Sequence, residues 1–258
     1  IDELKDEIIG YLWKTHGKWP MFSKFFDNKG PLPHHIHHDE EHAKKVGMMG
    51  KPEAYYFPPQ ANNHGGDFPY TFFGLNPGVS KEEVKEALQA FTKGDNKITN
   101  LSRCFRLEPG TGWDVPPGVL HAPGSLCTYE PQSASDVYAM YQSLVNDQIV
   151  EEDLLWKDSP KDMRGDFDYL LDVIDWDLNV DPEFQKNRFM RPQPVLPVKE
   201  MRDQGYEENW IIYKTAAFSA KELTVLPQQK VTIKDSAAYG LILMQGHGMM
   251  GVWDIETP

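Results

Sequence analysis

Residues 32–57 read LPHHIHHDEEHAKKVGMMGKPEAYYF, with histidines at positions 34, 35, 37, 38 and 42. In an extended strand, residues i and i+2 share a face. His35 and His37 therefore point one way and Ile36 the other. If Ile36 enters an apolar core, the two imidazoles face a cavity. Two imidazoles alone hold a divalent metal weakly. A carboxylate and a third histidine complete a site of the kind that takes zinc, iron, manganese or nickel. Glu41 and Glu53 are the candidate carboxylates, and His121 is the candidate histidine. A purification tag would be an uninterrupted terminal run, and this stretch is neither.

His121 lies in GTGWDVPPGVLHAPG, residues 110–124, with the spacing G-x5-P-x-G-x2-H. Pro117 and Gly118 predict a tight turn that sends the chain back with His121 pointing inward. Around these two stretches, MFSKFF, AYYF, YTFFGL, LSRCFRL and LCTYE have strand length and are bounded by Pro, Gly and Asn. Leu4, Ile8, Ile9, Leu12 and Trp13 have helical spacing over residues 2–15. SKEE at 80–83 predicts a capping box, followed by a helix with Val84, Leu88 and Phe91 on one face and Gly94 at its end.

Residues 136–181 are rich in helix formers and acids, with Trp156 and Trp176 placed to anchor helices on a sheet. Residues 189–199, FMRPQPVLPVK, read as an extended connector. Strands are expected again across 209–253, including KVTIK and YGLILMQG. The order is β, helical insert, β, and many short strands with Gly/Pro turns indicate a sandwich or barrel. The second β unit looks incomplete, either reduced or part of a longer chain.

The chain has 258 residues and a formal net charge of −13. That charge argues against nucleic acid or an anionic membrane as a partner. No apolar run approaches the roughly 20 residues of a membrane span. Cys104 and Cys127 are too few for a disulfide framework and read as buried free thiols in a reducing, cytoplasmic setting. His64, in NNHGGD, reads as a loop histidine, with lining the cavity as the alternative, and His247 reads as a turn residue. Trp113 and Tyr129 read as core or rim aromatics.

Several of these segments, in the same order, resemble type I mannose-6-phosphate isomerases of the cupin superfamily. HHIHHDEEHA resembles that family's segment leading into its first two metal ligands. GKPEAYYF resembles its K-x-E-x-W-Y strand, and FGLNPGVSKEEVKEAL its helix-leading segment. WDVPPGVLHAPG followed by EPQSASD resembles its P-A-G-T-x-H-A and Gln-Ser-Asp stretches. The resemblance implies a mainly β protein with helical insertions. It would be a cupin (jelly-roll) barrel over residues 1–135, a helical insert and Pro-rich connector over 136–200, and a second, partial cupin-like unit over 201–258.

The resemblance also implies a metal set of His35, His37, Glu53 and His121, choosing Glu53 over Glu41. Lys51 would be the catalytic residue beside it. One divalent ion, zinc first with manganese, iron or nickel as alternatives, would serve an aldose–ketose isomerase acting on a sugar or sugar phosphate. A non-catalytic sugar- or metal-binding cupin and an Fe(II) dioxygenase are the alternative functions. Two departures stand out. His35 replaces the family's glutamine. The arginine the family keeps after its Gln-Ser-Asp stretch has no counterpart, since none occurs between Arg106 and Arg164. This second departure points toward a non-phosphorylated sugar or an unusual phosphosugar.

Overall fold

The computed structural model describes residues 3–28, 30–62 and 68–257. Two five-stranded antiparallel sheets form its centre. The first has the order β1 (Met21–Phe26), β8 (Thr128–Ser133), β3 (Glu53–Tyr56), β6 (Gly112–Val115), β12 (Phe189–Met190). The second has the order β5 (Ser102–Arg106), β4 (Tyr70–Leu75), β7 (His121–Ala122), β2 (His35–Ile36), β9 (Ala139–Met140). The protein is thus mainly β, with several antiparallel sheets and short helices. No strand ladder among the described residues closes the two sheets into one barrel.

Alternation decides what each face covers. Tyr55, Trp113 and Val115 of the first sheet and Phe73 of the second meet in one buried cluster with Leu126 and Phe184. Phe73 lies 4.9 Å from Trp113, centroid to centroid. This aromatic layer joins the sheets face to face, and Trp113 is wholly within it. On the outer face of the first sheet, Ala54 and Tyr56 pack on Met190, Ile211 and Ile212. On the outer face of the second, Ile36, Leu75 and Leu120 pack on Val84, Leu88, Leu155, Trp156, Leu170 and Ile174. Ile36 therefore enters a core on the side opposite to His35 and His37.

The helix Lys81–Gln89 starts on the expected capping box: Ser80 accepts from the Glu83 N–H, and Glu83 accepts from the Ser80 N–H. It ends at Gln89, with a 3-10 turn before Gly94. Residues 136–200 contribute the short helices Glu152–Leu155, Phe167–Asp172, Trp176–Asn179 and Phe184–Arg188. They also supply β9 and β12, an edge strand for each sheet.

Three expectations differ from the structure. The helix over residues 2–15 is broken into Asp6–Ile9 and Tyr11–His16, because Gly10 adopts φ +54, outside helical geometry. Only Ile9 of these two helices is buried. Residues 201–258 contain β14 (Tyr206–Ile212) and β15 (Ala220–Val225), which form a sheet with β13 (Gln193–Pro194) of the connector, and the hairpin β16 (His247–Met250), β17 (Trp253–Glu256). KVTIK and YGLILM are not strands. Alternation favours a strand only where a neighbour supplies ladder bonds and a core, and Tyr239, Leu241 and Ile242 are exposed. Both cysteines are free, but Cys104 is exposed and Cys127 half-buried. Cys104 sits outward on the edge strand β5, where alternation leaves it facing water.

The turn that delivers His121 is built as expected and clamped more tightly than the sequence reveals. The Val119 N–H donates to the Pro116 carbonyl at 3.3 Å, with Gly118 at φ +76. A Cβ on Gly118 would meet Asp175 Cβ at 2.9 Å and Asp175 N at 3.0 Å. Gly118→Ala combines left-handed strain with overpacking and is expected to cost about 2–3 kcal/mol. The shift of a denaturant midpoint measures it, and an unchanged midpoint would show that the turn relaxes freely.

Candidate metal centre

Register brings the histidines together. His35 of β2 pairs directly with His121 of β7. Their rings are 4.2 Å apart, centroid to centroid, and His37 lies 4.9 Å from His35 and 5.0 Å from His121. One ring nitrogen from each of the three lies within 4.8 Å of the others, and all three residues are buried.

The orientation of each ring is set by its other nitrogen. His35 Nδ1 lies 2.8 Å from the Pro33 carbonyl, His37 Nδ1 2.8 Å from the Val137 carbonyl, and His121 Nδ1 2.9 Å from the Val119 carbonyl. A carbonyl oxygen only accepts, so each Nδ1 carries a proton and each ring turns its Nε2 inward. Backbone carbonyls fixing the tautomer in this way are the usual second layer of a histidine metal site.

Glu53 enters from the opposite sheet. Its Oε1 is 3.0 Å from His121 Nε2, and its Oε2 is 3.1 Å from His37 Nε2. The Tyr55 hydroxyl donates to Oε1 at 2.5 Å. Lys51 Nζ donates to His37 Nε2 at 3.0 Å and lies 3.0 Å from Glu53 Oε2. Glu53 Oε2 and His121 Nε2 are nonetheless buried without a hydrogen-bond partner. Burial alone would favour a neutral Glu53. The Lys51 ammonium, then His37 and His121, outweigh it and hold the carboxyl well below its usual range. Burial, with His121 and His37 nearby, keeps His35 neutral to well below the usual imidazole value. His37 is pushed down to about 4, mainly by burial.

Three ring nitrogens thus cluster in the interior with a carboxylate against two of them and Lys51 at the edge, a set of donor atoms that a divalent cation satisfies. Its chemistry, three imidazoles and one carboxylate, fits zinc and the other first-row ions. Glu41 is exposed on the helix Glu40–Lys44, away from this cluster. His34, His38 and His42 are buried, not solvated. His34 Nε2 meets Ser102 Oγ at 2.8 Å, and His42 is held by Asp39 and Asp172. His247 lies exposed on β16, and Tyr129 packs partly buried against the outer cluster of the first sheet. His64 lies outside the described residues.

Two residues of the site escaped the sequence reading. Glu130 is buried, with Oε1 3.8 Å from Lys51 Nζ. Burial first, and the Glu53 charge second, push its carboxyl up to about 8. Its parity with Thr128 and Gln132, on a strand whose Gln132 pairs with Glu53, is the pattern that places it inward. Asn179 clamps the His121 turn: its Oδ1 accepts the Leu120 N–H at 3.0 Å, and its Nδ2 donates to the Gly118 carbonyl at 2.6 Å. Nothing local in DLNVD marks it for that task.

No family model matches the sequence, and no curated protein does. Solved structures do match. The mannose 6-phosphate isomerase from Bacillus subtilis superposes with a TM-score of 0.55 at 17% identity, over 83% of this chain and 61% of that one. A single-residue variant of the phosphomannose isomerase from Salmonella typhimurium superposes with a TM-score of 0.53 at 11% identity, over 85% of this chain and 66% of that one. The chain has a mannose-phosphate-isomerase-like fold and spans under two thirds of the length of either structure.

Proposed function

We propose that the protein is a metal-dependent aldose–ketose isomerase built on a cupin-type jelly roll, with His35, His37, Glu53 and His121 holding one divalent ion, zinc in first place. The observation that carries this reading is the clustering of one ring nitrogen from each of the buried His35, His37 and His121 within 4.8 Å, with the buried Glu53 carboxylate against two of them. The isomerase fold supports the choice of reaction. A bound divalent ion supplies Lewis-acid polarisation of a sugar oxygen.

The chain's own groups supply the rest. Aldose–ketose conversion moves a proton between two adjacent carbons and needs one group to take it and another to steady the oxyanion. Lys51 is buried, and although burial opposes its charge, Glu53 and Glu130 keep it protonated. Its Nζ donates hydrogen bonds toward the developing negative oxygen. Glu130, with a raised proton affinity and within reach of Lys51, is placed to hold or pass the proton. The walls between the sheets keep bulk water from this exchange.

Elemental analysis of the purified protein, paired with a screen of mannose, lyxose, fructose and their phosphates, tests the reading. Absence of a bound transition metal would remove the site, and bound metal with no conversion would leave a binding protein. Strict need for Fe(II) and oxygen would instead mark oxygenase chemistry. Lys51→Met is expected to keep its metal and lose about 10²-fold in turnover. Tyr55→Phe removes the hydroxyl that steadies Glu53 and should weaken metal binding by about tenfold, as loss of an outer-layer partner does. Competition with a chromophoric chelator reads that change, and unaltered affinity would show that Tyr55 merely fills space.

A further inference from the structure

We infer that this site selects an uncharged, polyhydroxylated substrate over its phosphate ester, because Lys51, Lys24 and Lys157, the lysines beside it, are already held by carboxylates. The inference rests on the isomerase reading and names its substrate class. Lys51 is held between Glu53 and Glu130. Lys24, the register partner of Glu130 on β1, binds Asp136 at 2.7 Å. Lys157 lies 3.9 Å above the Tyr138 ring and 3.1 Å from Asp158.

Arginines that would grip a phosphate are committed elsewhere. Arg103 donates to the backbone carbonyls of Asn179 and Asp181, and Arg188 is paired with Asp114. Lys18, which reaches the backbone two residues before Asp136, is not paired in this way among the described residues. It faces no carboxylate within salt-bridge range and donates to the Ala134 carbonyl at 3.4 Å.

What this side of the site does offer suits hydroxyl groups. Asp136 is anchored by Lys24 and by Gln132 Nε2 at 3.4 Å. Tyr138 stands 6.4 Å from the His35 ring, its backbone N–H fixed on Asp158 Oδ2 at 2.9 Å. Carboxylates accept from sugar hydroxyls, and a phenol both donates and accepts. A phosphate dianion reaching for Lys24 would come against Asp136, and one reaching for Lys157 against Asp158. Like charges at such range are a direct means of rejecting a substrate.

The full chain loaded with zinc is assayed with D-mannose and D-mannose 6-phosphate, and the affinity of each is measured by calorimetry with inorganic phosphate as competitor. The free sugar is expected to lead in kcat/KM by at least about tenfold, with no competition from inorganic phosphate. Asp136→Asn releases Lys24 and should move the ratio toward the ester by about fivefold. Preference for the ester, competition by inorganic phosphate, or loss of ester binding in Lys18→Ala would overturn the inference. If neither sugar is converted, the isomerase reading fails on its own. Calorimetry then decides: tighter binding of the free sugar upholds the inference, and tighter or equal binding of the ester, or no binding of either, overturns it.

Discussion

Replacing His121 by alanine is expected to abolish stoichiometric zinc binding and to lower sugar isomerisation by on the order of 10³-fold. His121 is the hinge of the site. It joins β2 and β4 through β7, pairs in register with His35 and Phe73, and alone among the histidines meets Glu53 Oε1, at 3.0 Å. Its removal leaves two imidazoles and a carboxylate whose Oε1 keeps only the Tyr55 hydroxyl. Two nitrogens and one oxygen bind zinc far more weakly than the full set. His121→Gln keeps a polar group of similar reach and should retain the fold, so thermal melting of the metal-free variants separates a lost ligand from a lost structure. His247→Ala, on the exposed hairpin β16, should bind zinc like the parent. Metal retained at full stoichiometry in both His121 variants would place the ion elsewhere.

The parts of this site that could be read from sequence obey short-range geometry. His35, Ile36 and His37 are sorted by strand parity alone, and Ile36 does enter the helix-covered core. The turn at Pro117 and Gly118 follows from φ preferences. Lys51 and Glu53 come to one side because they are two residues apart. What parity could not supply was the choice among several acids. Glu41 and Glu53 are equivalent until the helix Glu40–Lys44 turns Glu41 to solvent, and Glu130 acquires its character only from being buried beside Glu53 and Lys51.

Two of the C-terminal strand expectations failed for a related reason, while Tyr206–Ile212, Ala220–Val225 and Trp253–Glu256 are strands. KVTIK alternates as a strand should, but alternation states only that a face could be buried, not that a partner exists to bury it. Asn179 makes the same point in reverse. An unremarkable residue in a short helix becomes a clamp on the metal-site turn because tertiary packing sets it against Gly118 and Leu120.

Metal-free protein is expected to lose stability steeply below neutral pH. Burial first, with His121 beside it acting in the same sense, pushes His34 down to about 3. Burial first, with Lys51 and His121 acting in the same sense against Glu53, takes His37 to about 4. Burial and His42 together take His38 to about 4 against the pull of Asp158 and Asp39. In the unfolded chain these imidazoles titrate near 6.5. Below that pH the unfolded chain binds more protons than the folded one, so stability falls as pH falls and levels off only near pH 3–4. Between pH 6.5 and 5.5 each histidine contributes about 1 kcal/mol, roughly 3 kcal/mol for the three. Denaturant midpoints in chelator at pH 7.5, 6.5 and 5.5 measure the slope. His34→Gln should remove about a third of it, because the Ser102 hydroxyl meets an uncharged side chain at every pH. Zinc should protect the fold at pH 7.5 and progressively less at lower pH, as protons compete for the same Nε2 atoms. A midpoint that stays flat from pH 7.5 to 5.5 without metal would mean that these imidazoles take up protons as readily in the folded chain as in the unfolded one, against the burial argued here.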